Sequence, residues 1–576
     1  MERNALLAVV LSVLVITGYL TWQRRQIAVS QEGVQQEQAT AIDSEVTTQP
    51  DAGAAAGTRV AGVSGIPVAV GDDPENQADV VYRNDLVSVR FDPSGARITS
   101  FELLEHLDGD QPVQMVKRGD SDRAAFEMQW SDDPDEVLLA EFFRRETSDP
   151  DTVVFERDFQ VGDGPVFTLT RSYRFFPDQY MFETTVELQN SIGEVLTPSP
   201  STYGYLLGYG PQIGPSFTDL SGRYGEFRRF YYHDGNRRGT VRVDSGSSAN
   251  LDERSEWFAL TGKYFAVIAV PPNPDYAFRA SLAAPAGRED GANFTIVRPA
   301  FQSAAHRDVY RFYIGPKVPE HLNRFDNAAD NPLGIGGLEL SRVQETRRLF
   351  GWLENILKAI LQAIHTVVPN YGFAIIILTI LVKLALFPLT RKGSESTAKM
   401  QELNPQLQEL RTKYSDNPQK LNQEMANLYK KEGVNPLGGC LPLALQFPFF
   451  IAMFGVFNNH FDLRGAQFIP GWITDLSAPE SIVNFGGFAV PLIGWTDLRL
   501  LPIVFLASQL LSGKLMQTPT ANVGTQAKIM QYGMPIFFFF ILYNMPSGLL
   551  VYWIFSNILT VVQQQLINRR RHAAEN

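Results

Sequence analysis

Cysteine is almost missing from this sequence. Cys440 is the one thiol among 576 residues, so no disulfide can close within the chain and no cysteine-built metal site can form. It lies beside an apolar run and reads as a small packed residue. Histidine is scarce as well, at seven. His106, His233, His306 and His321 stand far apart, without the close pairing that metal ligation produces, and each reads as a surface or packed side chain. No GxxxxGK[ST] loop occurs, so nucleotide-driven work is not expected. Fifty basic residues face 62 acidic ones, a net charge of -12, which argues against a broad basic surface and specific nucleic-acid recognition. Neither a metal nor a cofactor nor a catalytic residue is expected, and the chain does not read as an enzyme.

What is abundant is apolar sequence, unevenly placed. The mean hydropathy of -0.10 averages a polar, acidic stretch up to about Phe350 with a remainder dominated by long apolar runs. Residues 1–25 hold an apolar run from Ala5 to about Trp22 that ends in "GYLTWQRR" rather than in a small-x-small cleavage site, and they read as a retained membrane anchor. Residues 26–79, rich in Gln, Ala, Gly, Thr and Asp, cannot bury enough surface to offset ordering entropy and read as a disordered tether. From 80 to 345 the pattern is strand-like. "DLVSVRFDPSGARITSFELL" alternates on both sides of the turn signal Asp92-Pro93-Ser94-Gly95, and "FTLTRSYRFF", "MFETTVELQN" and "WFALTGKYFAVIAV" continue the habit. Short strands with Gly/Pro punctuation predict a large β-sandwich, with helical sequence beginning after His321. Residues 346–368 predict an amphipathic helix in the membrane interface, with Trp352, Leu353, Ile356, Leu357, Ile360, Leu361 and Ile364 on one broad face.

Residues 369–570 predict a bundle of five spans: 371–389, 437–457, 498–516, 534–545 and 549–567, the last two forming a tight hairpin across "MPSG". With the anchor the total is six. "IVNFGGFAVPLIGW" is apolar too, but its glycines and prolines favour a re-entrant or interfacial loop. The 391–433 loop carries Arg391, Lys392, Lys399, Arg411, Lys413, Lys420, Lys430 and Lys431, whereas 461–497 carries Arg464 alone. The positive-inside rule then puts that loop, the tail 571–576 and both termini in the cytoplasm, and the β-domain on the other side. Within the loop, Met400, Leu403, Leu407, Leu410 and Tyr414 recur at heptad spacing, and Leu421, Met425 and Leu428 follow beyond "SDNP". That pattern predicts an antiparallel helical hairpin, either a plain spacer or a mobile contact for incoming clients.

Lys383 stands inside "GFAIIILTILVKLALFPLT", with Thr379 one turn earlier and Pro388 closing the helix. A charge at mid-membrane costs about 2.5–3.5 kcal/mol on insertion scales. Lys383 is six residues from Leu389, roughly 9 Å of helix, so its amine could simply snorkel to the interface. The alternative is a polar interior, which Gln446, Ser508, Gln509, Ser556 and Asn557 in other spans support.

Taken in order, "YGFAIIILTILVKLALFPLT", a charged hairpin, "YKKEGVNPLGGCLPLALQFPFF" and "MPSGLLVYWIFSNILTVVQQQLI" resemble the YidC membrane-protein insertase family over about residues 352–570. The outer β-domain resembles that of the Gram-negative bacterial members, a β-supersandwich. The resemblance implies an inner-membrane insertase and chaperone. Its partners would be nascent membrane proteins, the Sec translocon (SecYEG, SecDF), the lipid bilayer and, through 391–433, the ribosome and the signal recognition particle or its receptor. It also implies a hydrophilic groove at Lys383, where many members have arginine, with Thr379, Gln446, Ser547 and Trp553 as matching groove positions. Lysine keeps the charge and loses the bidentate fork, and Trp553 stands where some members have tyrosine. Two other readings remain open. One is a transporter or channel with a basic site, although no repeated halves are visible. The other is an intramembrane serine protease at Ser547, which has no evident histidine partner.

Overall fold

The computed structural model describes residues 65–575 apart from 76, 109, 117–123, 131–137, 191–202, 211–227, 245, 283–291, 302–304, 345–349, 434–440, 487, 489, 491–494 and 516–531. The expected anchor, most of the expected tether and Cys440 lie outside the described residues. One compact unit holds residues 60–395 and 439–576, and 396–438 fall in a second.

Alternating apolar residues build the first half of the larger unit into an antiparallel β-sandwich. Thr152–Val161 shows how: every second position points inward, apolar at Val153, Phe155, Phe159 and Val161 and occupied by Arg157 between them. The largest sheet runs in the order Pro67–Ala69, Thr152–Val161, Val166–Arg174, Met181–Asn190, Ala305–Pro316, Phe265–Val270, Trp257–Thr261, Arg229–His233, Arg238–Val241, with Arg144–Asp149 also pairing to Thr152–Val161. A five-stranded sheet runs Ser247–Leu251, Ala277–Leu282, Ala292–Pro299, Tyr203–Tyr209, Glu127–Gln129. A third, Val80–Arg83, Val87–Asp92, Arg97–Asp108, Gln111–Gln114, is a meander. Trp257–Thr261 and Phe265–Val270 are buried at every residue, so both of their faces are covered, which is why they read as continuous apolar runs. The Asp92–Gly95 turn is where the sequence places it: Gly95 sits at φ 68°, the Ser94 amide donates to Asp92 Oδ1 at 2.9 Å, and a Cβ on Gly95 would strike the Leu139 carbonyl. Pro67–Ala69, inside the segment expected to be a tether, is a strand, in register with Val161, Gln160 and Phe159.

Beyond a one-turn helix at Pro319–Leu322, the described residues form eight longer helices: α1 Gly351–Val367, α2 Tyr371–Glu402, α3 Asn404–Lys413, α4 Pro418–Lys431, α5 Leu441–Asn459, α6 Leu501–Leu515, α7 Met534–Leu542 and α8 Ser547–Glu575. The broad apolar face of α1 divides in two. Leu353, Leu357 and Leu361 are buried with residues of α5 in one core, whereas Trp352, Ile356 and Ile360 are exposed. Gly455 of α5 leaves room for the Glu354 carboxylate, which a Cβ there would meet.

Pro388 does not close its helix: α2 continues through it to Glu402. The Thr390 hydroxyl donates to the carbonyls of Leu386 and Phe387 at 3.0 and 3.2 Å, one turn back along the same helix. In "IVNFGGFAVPLIGW", Val483–Asn484 pairs with Asp497–Leu498, and the Val490 amide donates to the Trp495 carbonyl. In the second unit α3 and α4 pack through Leu403, Leu407, Met425 and Tyr429, with Leu410, Leu421 and Leu428 against them. Tyr429 is not part of the expected seam, and Tyr414 instead ends α3, with the amines of Lys413 and Lys420 5.6 and 5.4 Å from its ring centroid.

The turn after α5 serves two cores at once. His460 and Leu463 are buried on the helical side, and Asp462 accepts from Gln362 Nε2 and the Tyr371 hydroxyl at 3.1 and 3.4 Å. Phe461 and Arg464 reach the other way, into the sandwich. The Phe461 ring meets His106, Phe265 and Tyr264 edge-on, and Arg464 donates to the Leu107 carbonyl beside Asp108.

Candidate polar site among the helices

Helix α8 organises the polar groups of the bundle. In "SNILTVVQQQL" Ser556, Thr560 and Gln563 recur at helical spacing along an otherwise apolar stretch. Together with Asn557 they meet three other helices. Ser556 Oγ accepts from Gln446 Nε2 of α5 at 3.2 Å, and Asn557 Nδ2 donates to Ser508 Oγ of α6 at 3.0 Å. Thr560 Oγ1 accepts from the Lys383 ammonium of α2 at 2.8 Å, and Gln563 Nε2 donates to Thr390 Oγ1, also of α2, at 3.1 Å. Four neighbouring positions of one helix thus tie it to three others by hydrogen bonds, which count for more where water is scarce.

Lys383 is half-buried, and its amine lies against α8 rather than reaching past Pro388. Its Thr560 partner is itself fixed, since the hydroxyl donates to the Ser556 carbonyl at 2.7 Å. The residues expected as groove positions part company here. Gln446 comes to the Lys383 side through Ser556, one turn before Thr560. Thr379 is fully buried and donates to its own-helix Ile375 carbonyl at 2.7 Å, so its hydroxyl proton is committed to the backbone. Trp553 is half-buried among the rings of Phe450, Phe505 and Phe538, centroids 4.7, 5.1 and 5.7 Å away. Ser547 lies at the first residue of α8, thirteen residues and roughly 20 Å of helix before Thr560. Both its amide and its hydroxyl donate to the Ala478 carbonyl, at 2.8 and 2.7 Å, so it fastens the 461–497 segment to the first turn of α8. Thr560, Gln563 and Thr390 escaped the sequence reading, although the polar stripe on α8 was there to find.

Exposed apolar side chains line three of these helices: Phe373, Ile380, Leu381 and Leu384 on α2, Phe537 and Phe540 on α7, Ile558 and Val562 on α8. Two described stretches, Tyr371–Pro388 and Ser547–Leu566, are long and apolar enough to cross a membrane, and Gln446–Phe457 and Leu501–Lys514 are shorter apolar helices. A β-sandwich joined to such a bundle, with an amine held inside it, defines an integral membrane protein with a large domain in water.

Comparison with known proteins narrows the class. The family model described as "60Kd inner membrane protein" matches residues 363–575, and that described as "YidC periplasmic domain" matches 79–359. A membrane protein insertase YidC of Treponema denticola is 38% identical over 99% of each chain, and one of Treponema pallidum is 35% identical over 99% of each. A crystal structure titled as an active YidC insertase with its first transmembrane domain resolved covers 85% of this chain and 92% of that one, at 15% identity and a TM-score of 0.36. The chain belongs to the YidC family of inner-membrane protein insertases.

Proposed function

We propose that this chain inserts integral inner-membrane proteins and helps them fold, alone or beside the Sec translocon, through a hydrophilic groove whose cation is Lys383. The observation that carries the reading is the Lys383 ammonium hydrogen-bonded to Thr560 within a seam of side-chain amides and hydroxyls, in helices whose outer surfaces are apolar. No covalent step is involved. A client's polar segment enters the groove from the cytoplasm, where the amine, Gln446 and the α8 hydroxyls replace part of its lost water and lower the desolvation cost over part of the bilayer. Its apolar segment meets the exposed aliphatic and aromatic side chains of the bundle and partitions into lipid, and burial of apolar surface drives the reaction. Trp553 and its phenylalanine neighbours form an apolar boundary to the polar seam.

The topology we propose has six spans, with both termini and the 391–433 hairpin in the cytoplasm and the sandwich in the periplasm. The uneven distribution of Lys and Arg supports it. The basic residues of the hairpin would face the ribosome or the signal recognition particle and its receptor. Insertion of a short membrane protein into proteoliposomes containing the purified chain, read by protease protection, tests the groove. Lys383→Glu is expected to abolish insertion and Lys383→Arg to retain it, with both variants folded. Full activity of the glutamate variant would sink the reading.

A further inference from the structure

We propose that Thr560 is the positioning residue for the groove cation: its hydroxyl oxygen parks the Lys383 ammonium on α8 and orients the remaining N–H bonds toward an entering chain. The inference rests on the reading of Lys383 as that cation. The geometry begins with the threonine. In the middle of a helix a threonine hydroxyl commonly donates to the carbonyl four residues back, and Thr560 does so to Ser556 at 2.7 Å. Its single proton is thereby spent, so the oxygen presents only lone pairs to its surroundings. Lys383 Nζ lies 2.8 Å from that oxygen. The contact has one possible polarity, amine donating and hydroxyl accepting.

Three consequences follow from the chemistry of the pair. An ammonium has three donors and no acceptor, so one bond to Thr560 leaves two for other groups. A neutral acceptor does not cancel the charge, as a carboxylate would, so the cation keeps its attraction for carbonyls and anions. A lysine stem has four carbons and several rotatable bonds, which makes it a poor fixed donor unless something holds its tip. An arginine at the same position would spread its donors over a planar fork and depend less on a single acceptor, so Thr560 matters here because residue 383 is lysine.

The same liposome assay, with the purified full chain, separates this inference from the reading beneath it. Thr560→Val keeps the shape and removes the acceptor, and it should lower the insertion rate about tenfold, the order expected for losing one hydrogen bond to a charged group. Thr560→Ser should restore most of that rate. In a Lys383→Met background, itself strongly impaired, Thr560→Val should produce no further loss, because the partner it positions is gone. In a Lys383→Arg background the valine effect should shrink to less than about threefold. Where valine is not tolerated, judged by thermal melting of the purified protein, Thr560→Ala supplies the same loss of acceptor. Wild-type rates for Thr560→Val overturn the inference while an inactive Lys383→Met leaves the groove reading standing. An equal defect in the Ser and Val variants, or a further loss in the Lys383→Met background, also overturns it, since Thr560 would then act through helix packing. Full activity of Lys383→Met removes the reading itself.

Discussion

Phe461→Ala removes a ring that crosses from the helical bundle into the sandwich, and its cost can be worked out from the contacts. The Phe461 centroid lies 5.0 Å from His106, 5.6 Å from Phe265 and 5.9 Å from Tyr264, with interplanar angles of 76°, 86° and 88°. Edge-to-face pairs of this kind contribute about 0.5–1.5 kcal/mol each beyond their buried area. Truncating a fully buried phenylalanine costs about 3–5 kcal/mol, and Phe461 is half-buried, so a loss of about 2–3 kcal/mol is reasonable. Neither core depends on the ring: the sandwich and the bundle each keep their own buried cluster. The loss therefore falls on the docking of one against the other and shifts that equilibrium by about 30- to 150-fold. Hydrogen exchange of the full chain in nanodiscs reads it. The end of the strand Arg97–Asp108, where His106 and Leu107 meet Phe461 and Arg464, should exchange faster, whereas Thr152–Val161 should not change. Arg464→Ala, which removes the donor to the Leu107 carbonyl and the partner of Asp108, should deepen the effect. Unchanged exchange over residues 101–108 would refute the reasoning, as would faster exchange throughout the sandwich.

Other perturbations address the separate parts. Asp308 accepts from Tyr205, Tyr276 and Arg298 Nε at 2.8, 3.0 and 3.0 Å between the two larger sheets, so Asp308→Ala leaves a buried guanidinium without its carboxylate and should destabilise the sandwich by about 3–5 kcal/mol, read by denaturant unfolding of the full chain. Leu407→Ala opens the small core of the α3–α4 pair and should cost about 2 kcal/mol, seen as faster exchange within residues 404–431 alone. Acidification should loosen the junction at His106. Burial first, and then the charges of Arg464 and His321, pull the imidazole down to about 4, although Glu105 and the Tyr180 hydroxyl lie nearby. The unfolded state binds the proton more readily, so this contribution is complete above about pH 6.5 and is lost as pH falls from there toward 4. His106→Phe should flatten the pH dependence of exchange in the 101–108 segment over that window.

The sandwich was legible because its code is local. Alternation along Thr152–Val161 and the Asp-Pro-Ser-Gly turn specify strand and reversal with residues a few positions apart. Pro67–Ala69 was not legible: three residues carry no period, and the strand exists because Thr152–Val161 offers it an edge. Pro388 misled for a related reason. A proline predicts a helix end from backbone sterics alone, yet α2 runs on through it to Glu402. Within the site, Lys383 announced itself as a charge in an apolar run, and Gln446 and Ser556 as polar groups in others. Thr560 did not, because a threonine or serine in a membrane helix usually bonds only to its own backbone, and only packing shows which oxygen faces a neighbour. Ser547 and Thr379 illustrate the converse, with both hydroxyls committed to backbone carbonyls.

Why a hydroxyl rather than a carboxylate should hold Lys383 follows from what each would leave behind. A carboxylate would neutralise the amine and satisfy it, making an internal ion pair that a passing chain would have to break at the expense of two buried charges. Among the described residues no acidic side chain is paired with Lys383, whose ammonium donates to Thr560. The hydroxyl fixes the position of the ammonium without cancelling its field, and a client carbonyl or carboxylate can take up the free N–H bonds without first displacing a counter-ion. Moving Thr560→Asp tests that argument in full. The aspartate should hold the amine more tightly and leave the bundle at least as stable to heat, yet insertion should fall by tenfold or more, on the order of the cost of separating a close charge pair. A bundle that gained stability and kept its insertion rate would show that the uncancelled charge is not what the groove uses.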